Sequence, residues 1–164
     1  MSHVRPLHHA IEARDLTAAR DALERDASQA TEPLPGGLSP LMFALYHGAH
    51  EIAELLRAFA EPDVFESAAL NDASAVARHV VADSSAVARF SPDGWTPLHL
   101  AAFFGARNAA LVLIGLGASL EVLAQNPTGN TPLHAAVAGA ADVEGGGRCR
   151  TSTSPRWWTS CWCC

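Results

Sequence analysis

The segment Asp93–Gly105, DGWTPLHLAAFFG, decides how this chain folds. Thr96 followed by Pro97 is a typical helix start, because a hydroxyl caps free amide groups and proline fits the first helical position. The small apolar face that begins at Leu98 allows another helix to approach closely. Gly105 is suited to end the helix, because glycine readily adopts the left-handed conformation found there. The segment therefore predicts one short helix that packs against a neighbour.

The same design recurs in GLSPLMFALYHG (Gly37–Gly48) and in GNTPLHAAVAG (Gly129–Gly139). A shift of 57 residues also aligns the first third of the chain with the second, and it pairs Asp26 with Asp83, Ser28 with Ser85, Pro40 with Pro97 and Gly48 with Gly105. A short helix that recurs in a fixed register is the signature of a repeat architecture.

The spacing of apolar residues predicts four helix pairs: Leu7–Ala13 with Leu16–Arg25, Pro40–Tyr46 with Glu51–Phe59, Val64–Leu70 with Ser74–Ala82, and Pro97–Phe104 with Asn108–Leu116. A fifth pair begins at Pro132 and breaks off near Gly139, and Ser84–Ser91 is expected to be extended. Isolated helices shorter than about 12–15 residues are marginal in water. The pairs must therefore stabilise one another by stacking their apolar faces.

Composition limits the classes of function. The chain has 164 residues, a net charge of −6 and 49% hydrophobic residues, which suits one domain with its own core. The acidic balance argues against nucleic acid or an anionic membrane as the partner. All eleven basic residues are arginine, which excludes a phosphate-loop lysine and a Schiff-base lysine. Residues 1–148 contain no cysteine, so we expect a cytoplasmic protein without structural disulfides.

The stretch TPLHLAAFFGARNAALVLIGLGASLEV at residues 96–122 resembles an ankyrin repeat, whose pattern is T-P-L-H-x-A with a period near 33 residues. The resemblance implies an ankyrin repeat domain over residues 1–144, with helix pairs at about 7–30, 37–63, 64–90 and 94–122 and a half repeat at 129–144. It implies an all-α solenoid of stacked antiparallel helix pairs joined by β-turn or hairpin loops. The longer interval from Thr96 to Thr131 places two extra residues in the loop near Gln125–Thr128.

The same resemblance implies a protein–protein interaction module that is not an enzyme and needs no cofactor or metal. No nucleophile elbow, zinc-protease helix or glycine-rich phosphate loop occurs in the sequence. We therefore expect the partner to be another protein, and not a nucleic acid, a membrane or a small-molecule substrate.

Partner contacts in ankyrin repeats lie on the loop tips and on the exposed side of each first helix. Mapped onto this sequence, those positions are Leu38, Tyr46, His47, Asp93, Trp95, Phe103, Phe104 and Asn130. Aromatic residues are enriched at the centres of interfaces, which favours a contact stripe here. The alternative is that Phe103 and Phe104 only pack against the next repeat. By the same resemblance, His99 and His134 form hydrogen bonds within the turn and fix the loop to its helix.

Residues 145–164, GGGRCRTSTSPRWWTSCWCC, differ in character from the rest of the chain. They permit three interpretations: a disordered end, a metal- or redox-active tail built on Cys149, Cys161, Cys163 and Cys164, or a segment translated out of frame. The third is favoured, because reading Pro155–Cys164 from the third base of each codon can give Glu-Val-Val-Asp-Leu-Leu-Leu-Val-Leu. That sequence is typical of the second helix of an ankyrin repeat.

Two alternatives to a protein-interaction module follow from these features. One is a regulatory segment cut from a larger protein, and the other is a protein that acts through metal or redox chemistry at the cysteine-rich tail. The cysteine spacing matches no zinc pattern, and His3, His8 and His9 have no carboxylate or cysteine at ligand spacing. Protein binding through the ankyrin repeats is therefore the preferred hypothesis.

Overall fold

The computed structural model describes residues 6–34 and 36–144, and the interpretations of His3 and of residues 145–164 lie outside that part of the chain. The described residues form α-helices and two short 3₁₀ helices, with no β-strand. The α-helices are α1 (Pro6–Ala13), α2 (Leu16–Arg25), α3 (Pro40–Tyr46), α4 (His50–Leu56), α5 (Val64–Ala69), α6 (Ala73–Ala82), α7 (Pro97–Phe103), α8 (Arg107–Gly115) and α9 (Pro132–Glu144).

The helices pack as consecutive pairs, α1 with α2, α3 with α4, α5 with α6 and α7 with α8. The first helices α1, α3, α5, α7 and α9 lie side by side in chain order, and α8 packs beside α6 in a second layer. The core lies between the layers, and its largest fully buried apolar side chains are Leu7, Ile11, Ile52, Leu56, Leu100 and Leu113. The predicted all-α solenoid of stacked helix pairs is confirmed.

The loops that precede α3, α7 and α9 are tight turns without strands. In the second of them, Gly94 has φ +79° and its N–H donates to the carbonyl of Ser91 at 2.8 Å. Its own carbonyl accepts the N–H of Gln125 from the following loop, also at 2.8 Å. A Cβ at Gly94 would lie 2.6 Å from the Gln125 backbone, so glycine is required both by the φ value and by the approach of the next loop.

The extended form expected for Ser84–Ser91 is wrong, because Ser84–Ala88 is a 3₁₀ helix. Its start is capped by Asp83, whose Oδ1 accepts the N–H of Ser85 at 2.9 Å. The first repeat has the same arrangement, in which Asp26 caps Ala27–Ala30. The Asp-x-Ser matches in the 57-residue register are therefore caps of two equivalent 3₁₀ turns.

The expected break near Gly139 is also wrong, because α9 continues through Gly139 to Glu144. Gly105 ends the α7 turn nine residues after Thr96, with φ +66°, whereas Gly139 follows Thr131 by only eight residues. Gly139 thus falls one position short of the turn and stays helical. The other predicted helix ends differ from the observed ones by three residues at most.

Gly139 has a packing role instead, because a Cβ at this position would lie 1.7 Å from the carbonyl oxygen of Phe103 in α7. We expect Gly139→Ala to push α9 away from α7 and to lower the free energy of unfolding by about 1–3 kcal/mol, as overpacking typically does. Thermal melting followed by far-UV circular dichroism measures the change.

Gly115→Ala is the matched control, because Gly115 is also helical and no atom from another element lies within 4 Å of the position that its new methyl group would take. It should raise stability by up to about 1 kcal/mol through helix propensity. A Gly139→Ala protein at least as stable as the Gly115→Ala protein would show that α9 does not contact α7 at this point.

Candidate protein-binding surface

Aromatic side chains line the exposed side of the first helices, which we call the first-helix face. At one end, Phe43 stacks on His8 with ring centroids 4.7 Å apart and contacts His47 at 4.3 Å. A second group consists of Tyr46, Trp95, Phe103 and Phe104, which we call the aromatic cluster. These rings come from two repeats that are not adjacent in sequence.

Ring contacts connect the whole aromatic cluster. Tyr46 lies 6.0 Å from Phe103 and 5.4 Å from Phe104, measured between ring centroids. Trp95 meets Phe103 edge to face at 5.8 Å, and the two phenylalanines meet edge to face at 5.1 Å. Edge-to-face geometry is favourable because the positive ring edge meets the negative face of its neighbour. All four side chains are partly buried and keep an exposed part.

The aromatic cluster closes over α5, which packs between α3 and α7. All six residues of α5, VFESAA, are buried. The rings from the two flanking repeats therefore meet across the intervening helix. Phe103 and Phe104 therefore pack within the chain against Tyr46 of an earlier repeat, whereas the alternative drawn from the sequence had them pack only against the next repeat.

Tyr46 also reaches the loop tip of the fourth repeat. Its hydroxyl donates to Oδ2 of Asp93 at 2.7 Å, and Asp93 is only 9% exposed. Burial raises the pKa of Tyr46 well above 10.0, and the charge and hydrogen bond of Asp93 raise the pKa further. Ser91 donates to the other carboxylate oxygen and accepts the Trp95 N–H at 3.1 Å. The predicted residues Tyr46, Asp93 and Trp95 thus belong to one connected group.

The remaining predicted residues are His47, Leu38 and Asn130, and they differ in exposure. His47 is partly buried, and burial lowers its pKa, with Glu12 acting in the opposite direction. Leu38 lines a shallow groove of about 340 Å³ together with Asp93 and Asn126. Asn130 is 7% exposed, so its side chain is buried rather than presented to a partner. Its Nδ2 has no hydrogen-bond partner among the described residues.

His99 connects successive repeats. Its Nδ1 accepts from the Thr96 hydroxyl at 2.8 Å and from the Thr96 N–H at 3.3 Å, so Nε2 carries the proton and donates to the carbonyl of Asn130 at 2.8 Å. The side chain is fully buried, and this burial lowers its pKa, against the opposing effect of its backbone hydrogen bonds. His134 makes the same contact with Thr131 at 2.7 Å but is exposed.

Sequence reasoning missed Glu66, which occupies the position of the motif histidine in the third repeat. Its Oε2 accepts the N–H of Asp63 at 2.9 Å, and its Oε1 accepts a hydrogen bond from Ser39 in the preceding repeat. The residue is 8% exposed, and burial raises its pKa. The Asp-x-x-Glu spacing of a capping box was the available signal for this residue.

These observations define a helical repeat protein: consecutive antiparallel helix pairs are stacked in two layers, and polar contacts tie each loop to the next. Residues 64–143 match the family model for ankyrin repeats, in three copies. This segment is thus similar to known ankyrin repeats, and the resemblance inferred from TPLH is confirmed. Ankyrin repeats indicate a protein–protein interaction module. No curated protein matches the sequence significantly.

Two further properties of the described residues bear on other functions. None of the helices described combines the length and the apolar character needed to cross a membrane. In the same part of the chain, no group of three or more His, Cys, Asp or Glu side chains is arranged to hold a metal ion.

Tyr46 is the sole tyrosine and the chain has no lysine, so its phenol can be followed above pH 10 without a second phenol or a lysine that titrates beside it. Because its folded pKa exceeds the unfolded value, the unfolded chain loses the proton first, and the free energy of unfolding falls as the pH rises above 10. Phenolate absorbance at 295 nm and denaturant unfolding at several pH values measure both effects.

Tyr46→Phe should remove this alkaline dependence and cost about 1–3 kcal/mol at pH 7, because the buried Asp93 carboxylate loses one hydrogen bond. Trp95→Phe is the control, since it keeps the phenol and its partner. A tyrosine in the native protein that titrates with the pKa of free tyrosine would contradict the Tyr46–Asp93 contact.

The lowered pKa of His99 predicts that the protein loses stability in mild acid. Its folded pKa lies below 6.5, so the unfolded chain binds the proton first and the free energy of unfolding falls as the pH drops below 6.5. His99→Gln should flatten this part of the profile. It should also cost about 1–3 kcal/mol at pH 7, because the link from Thr96 to Asn130 is lost.

His47 changes stability in the same direction, so the wild type and His99→Gln must be compared over the same pH range. His134→Gln is the matched control, since the exposed imidazole makes only the local contact with Thr131. Equal losses of stability in the His99→Gln and His134→Gln proteins would show that the inter-repeat hydrogen bond of His99 contributes nothing.

Proposed function

We propose that this chain is a non-catalytic protein-binding module whose partner docks on the first-helix face over the aromatic cluster. One observation supports the proposal above the others: rings from α3, from α7 and from the loop before α7 form a continuous, partly exposed group. Aromatic anchors held rigidly by their neighbours lose little conformational entropy on binding, which makes them efficient contact residues.

The predicted residues take two roles in this proposal. Trp95, Phe103, Phe104 and His47 keep exposed parts and would contact the partner directly. Asp93 and Asn130 are buried, so they would act by fixing the loop tips, and Tyr46 would join the two roles through its bond to Asp93. This division follows from burial, because a side chain without exposed surface gains little from a partner.

The proposal extends to the whole predicted domain at residues 1–144. In residues 6–63, helices α1 to α4 pair and stack in the same order as the helices of the matched segment, which supports their inclusion. The partner in this proposal is another protein encountered in the cytoplasm. The acidic composition disfavours nucleic acid and anionic membranes as partners.

Affinity capture from the source organism's lysate, with quantitative mass spectrometry, tests the surface. Proteins that the wild-type chain enriches should be captured at least about tenfold less by Trp95→Ala and Phe103→Ala, because interface hot spots contribute about 2 kcal/mol or more. Circular dichroism checks that each variant stays folded.

Phe59→Ala is the matched control, because Phe59 is a 42% exposed aromatic residue that follows α4, in the second-helix layer. Its capture profile should equal that of the wild type. If all three variants capture the same proteins equally well, the aromatic cluster is not the binding surface.

A further inference from the structure

The stack exposes apolar side chains on α8, on α9 and on the loop between them. We call this set the C-terminal patch, and it consists of Leu111, Ile114, Leu120, Leu123, Leu133 and Val137, each at least 42% exposed. Leu111 and Ile114 lie one turn apart on α8, and Leu133 and Val137 lie one turn apart on α9, so each pair shares a helix face. No described element covers them.

Equivalent positions in earlier repeats show what is unusual here. Leu133 is 72% exposed, whereas Leu98 and Leu41 at the same motif position are 2% and 5% exposed, because a second helix packs on each of their helices. In the 57-residue register, Leu111 and Ile114 correspond to Glu54 and Arg57, which form an ion pair at 3.1 Å. The α8 surface is thus apolar where α4 carries charges.

The preceding helix pair shows where a second helix paired with α9 would pack. Helix α8 packs against both α6 and α7, so the equivalent position in the next repeat is bounded by α8 and α9. The second helices have 7 to 10 residues and follow their first helices after a short turn. Twenty residues follow α9 in the sequence, which is enough chain for a turn and one helix of that length.

We propose that residues 145–164 of the same chain pack on the C-terminal patch, in the position that a second helix paired with α9 would occupy. The segment begins with three glycines, which permit a reversal of the chain. Ser154 followed by Pro155 is helix-start chemistry. Trp158, Cys161 and Trp162 are then spaced to form one apolar stripe, matching the apolar surface of α8 and α9.

Charge favours the same occupant. The segment carries three arginines and no acidic residue, whereas residues 1–144 contain all seventeen acidic residues and eight arginines. The segment is therefore attracted to the rest of the chain, and two copies of residues 1–144 repel each other. This argues for the chain's own C-terminal segment over a second molecule as the cover of the patch.

Tryptophan fluorescence tests the proposal, because Trp95 is the single tryptophan outside the segment. In the 164-residue Trp95→Phe protein, all tryptophan emission comes from residues 145–164. We expect blue-shifted emission and an acrylamide quenching constant severalfold lower than that of a synthetic peptide of residues 145–164. Emission and quenching equal to those of the peptide would overturn the proposal.

Leu111→Glu with Ile114→Arg, placed in the Trp95→Phe background, recreates the α4 ion pair on α8. It should raise the quenching constant to the peptide value, while Phe59→Arg, an equally exposed site two repeats away, should leave it unchanged. Equal quenching in both variants would overturn the assignment to this patch. Light scattering distinguishes the chain's own C-terminal segment from a second copy of the chain. A doubled mass, together with protection from acrylamide that grows with protein concentration, would show that a second copy covers the patch.

A second experiment changes only residues of the C-terminal segment and leaves the sequence of the repeats unchanged. Trp158→Ser with Trp162→Ser in the 164-residue chain should uncover the C-terminal patch and increase the fluorescence of the apolar dye ANS severalfold. Circular dichroism should show the helices of residues 6–144 retained. Dye binding equal to that of the wild type would mean that these tryptophans do not cover the patch.

Discussion

Contact between consecutive helix pairs is the constraint on which this structure depends. The longest described helix has 13 residues and most have 10 or fewer, so none reaches the length at which an isolated helix is stable. Each pair buries its apolar side against the next, and the fully buried residues are spread along the whole stack, from Leu7 to Leu113. Stability is therefore a property of the interfaces between repeats.

Buried polar contacts then fix the distance between consecutive repeats, which apolar packing alone leaves adjustable. His99 spans from its own cap residue to the next loop, and Glu66 spans from its cap residue back to the preceding repeat. Both side chains are buried and fully engaged, which makes any shift between repeats costly. The loop tips that would meet a partner are thus held by the same residues that set the repeat spacing.

In the aromatic cluster, packing within the chain and the proposed partner contact use the same residues. Tyr46 from one side of α5 and Phe103 and Phe104 from the other side are in contact. The rings lose part of their exposed surface in this contact and gain a fixed geometry. A surface of this kind is pre-organised, and pre-organisation lowers the entropic cost of association.

The sequence by itself determined the helix pairs, their order and their starts, because caps, prolines and apolar spacing act within a few residues of one another. The repeat positions also singled out Tyr46, Trp95, Phe103 and Phe104 in the sequence, and the structure brings these four rings into contact. Only the tertiary structure joined Tyr46 to Asp93, 47 residues away, and Ser39 to Glu66. It also decided that Gly139 stays helical against Phe103. These contacts depend on the distance between repeats, which no local pattern specifies.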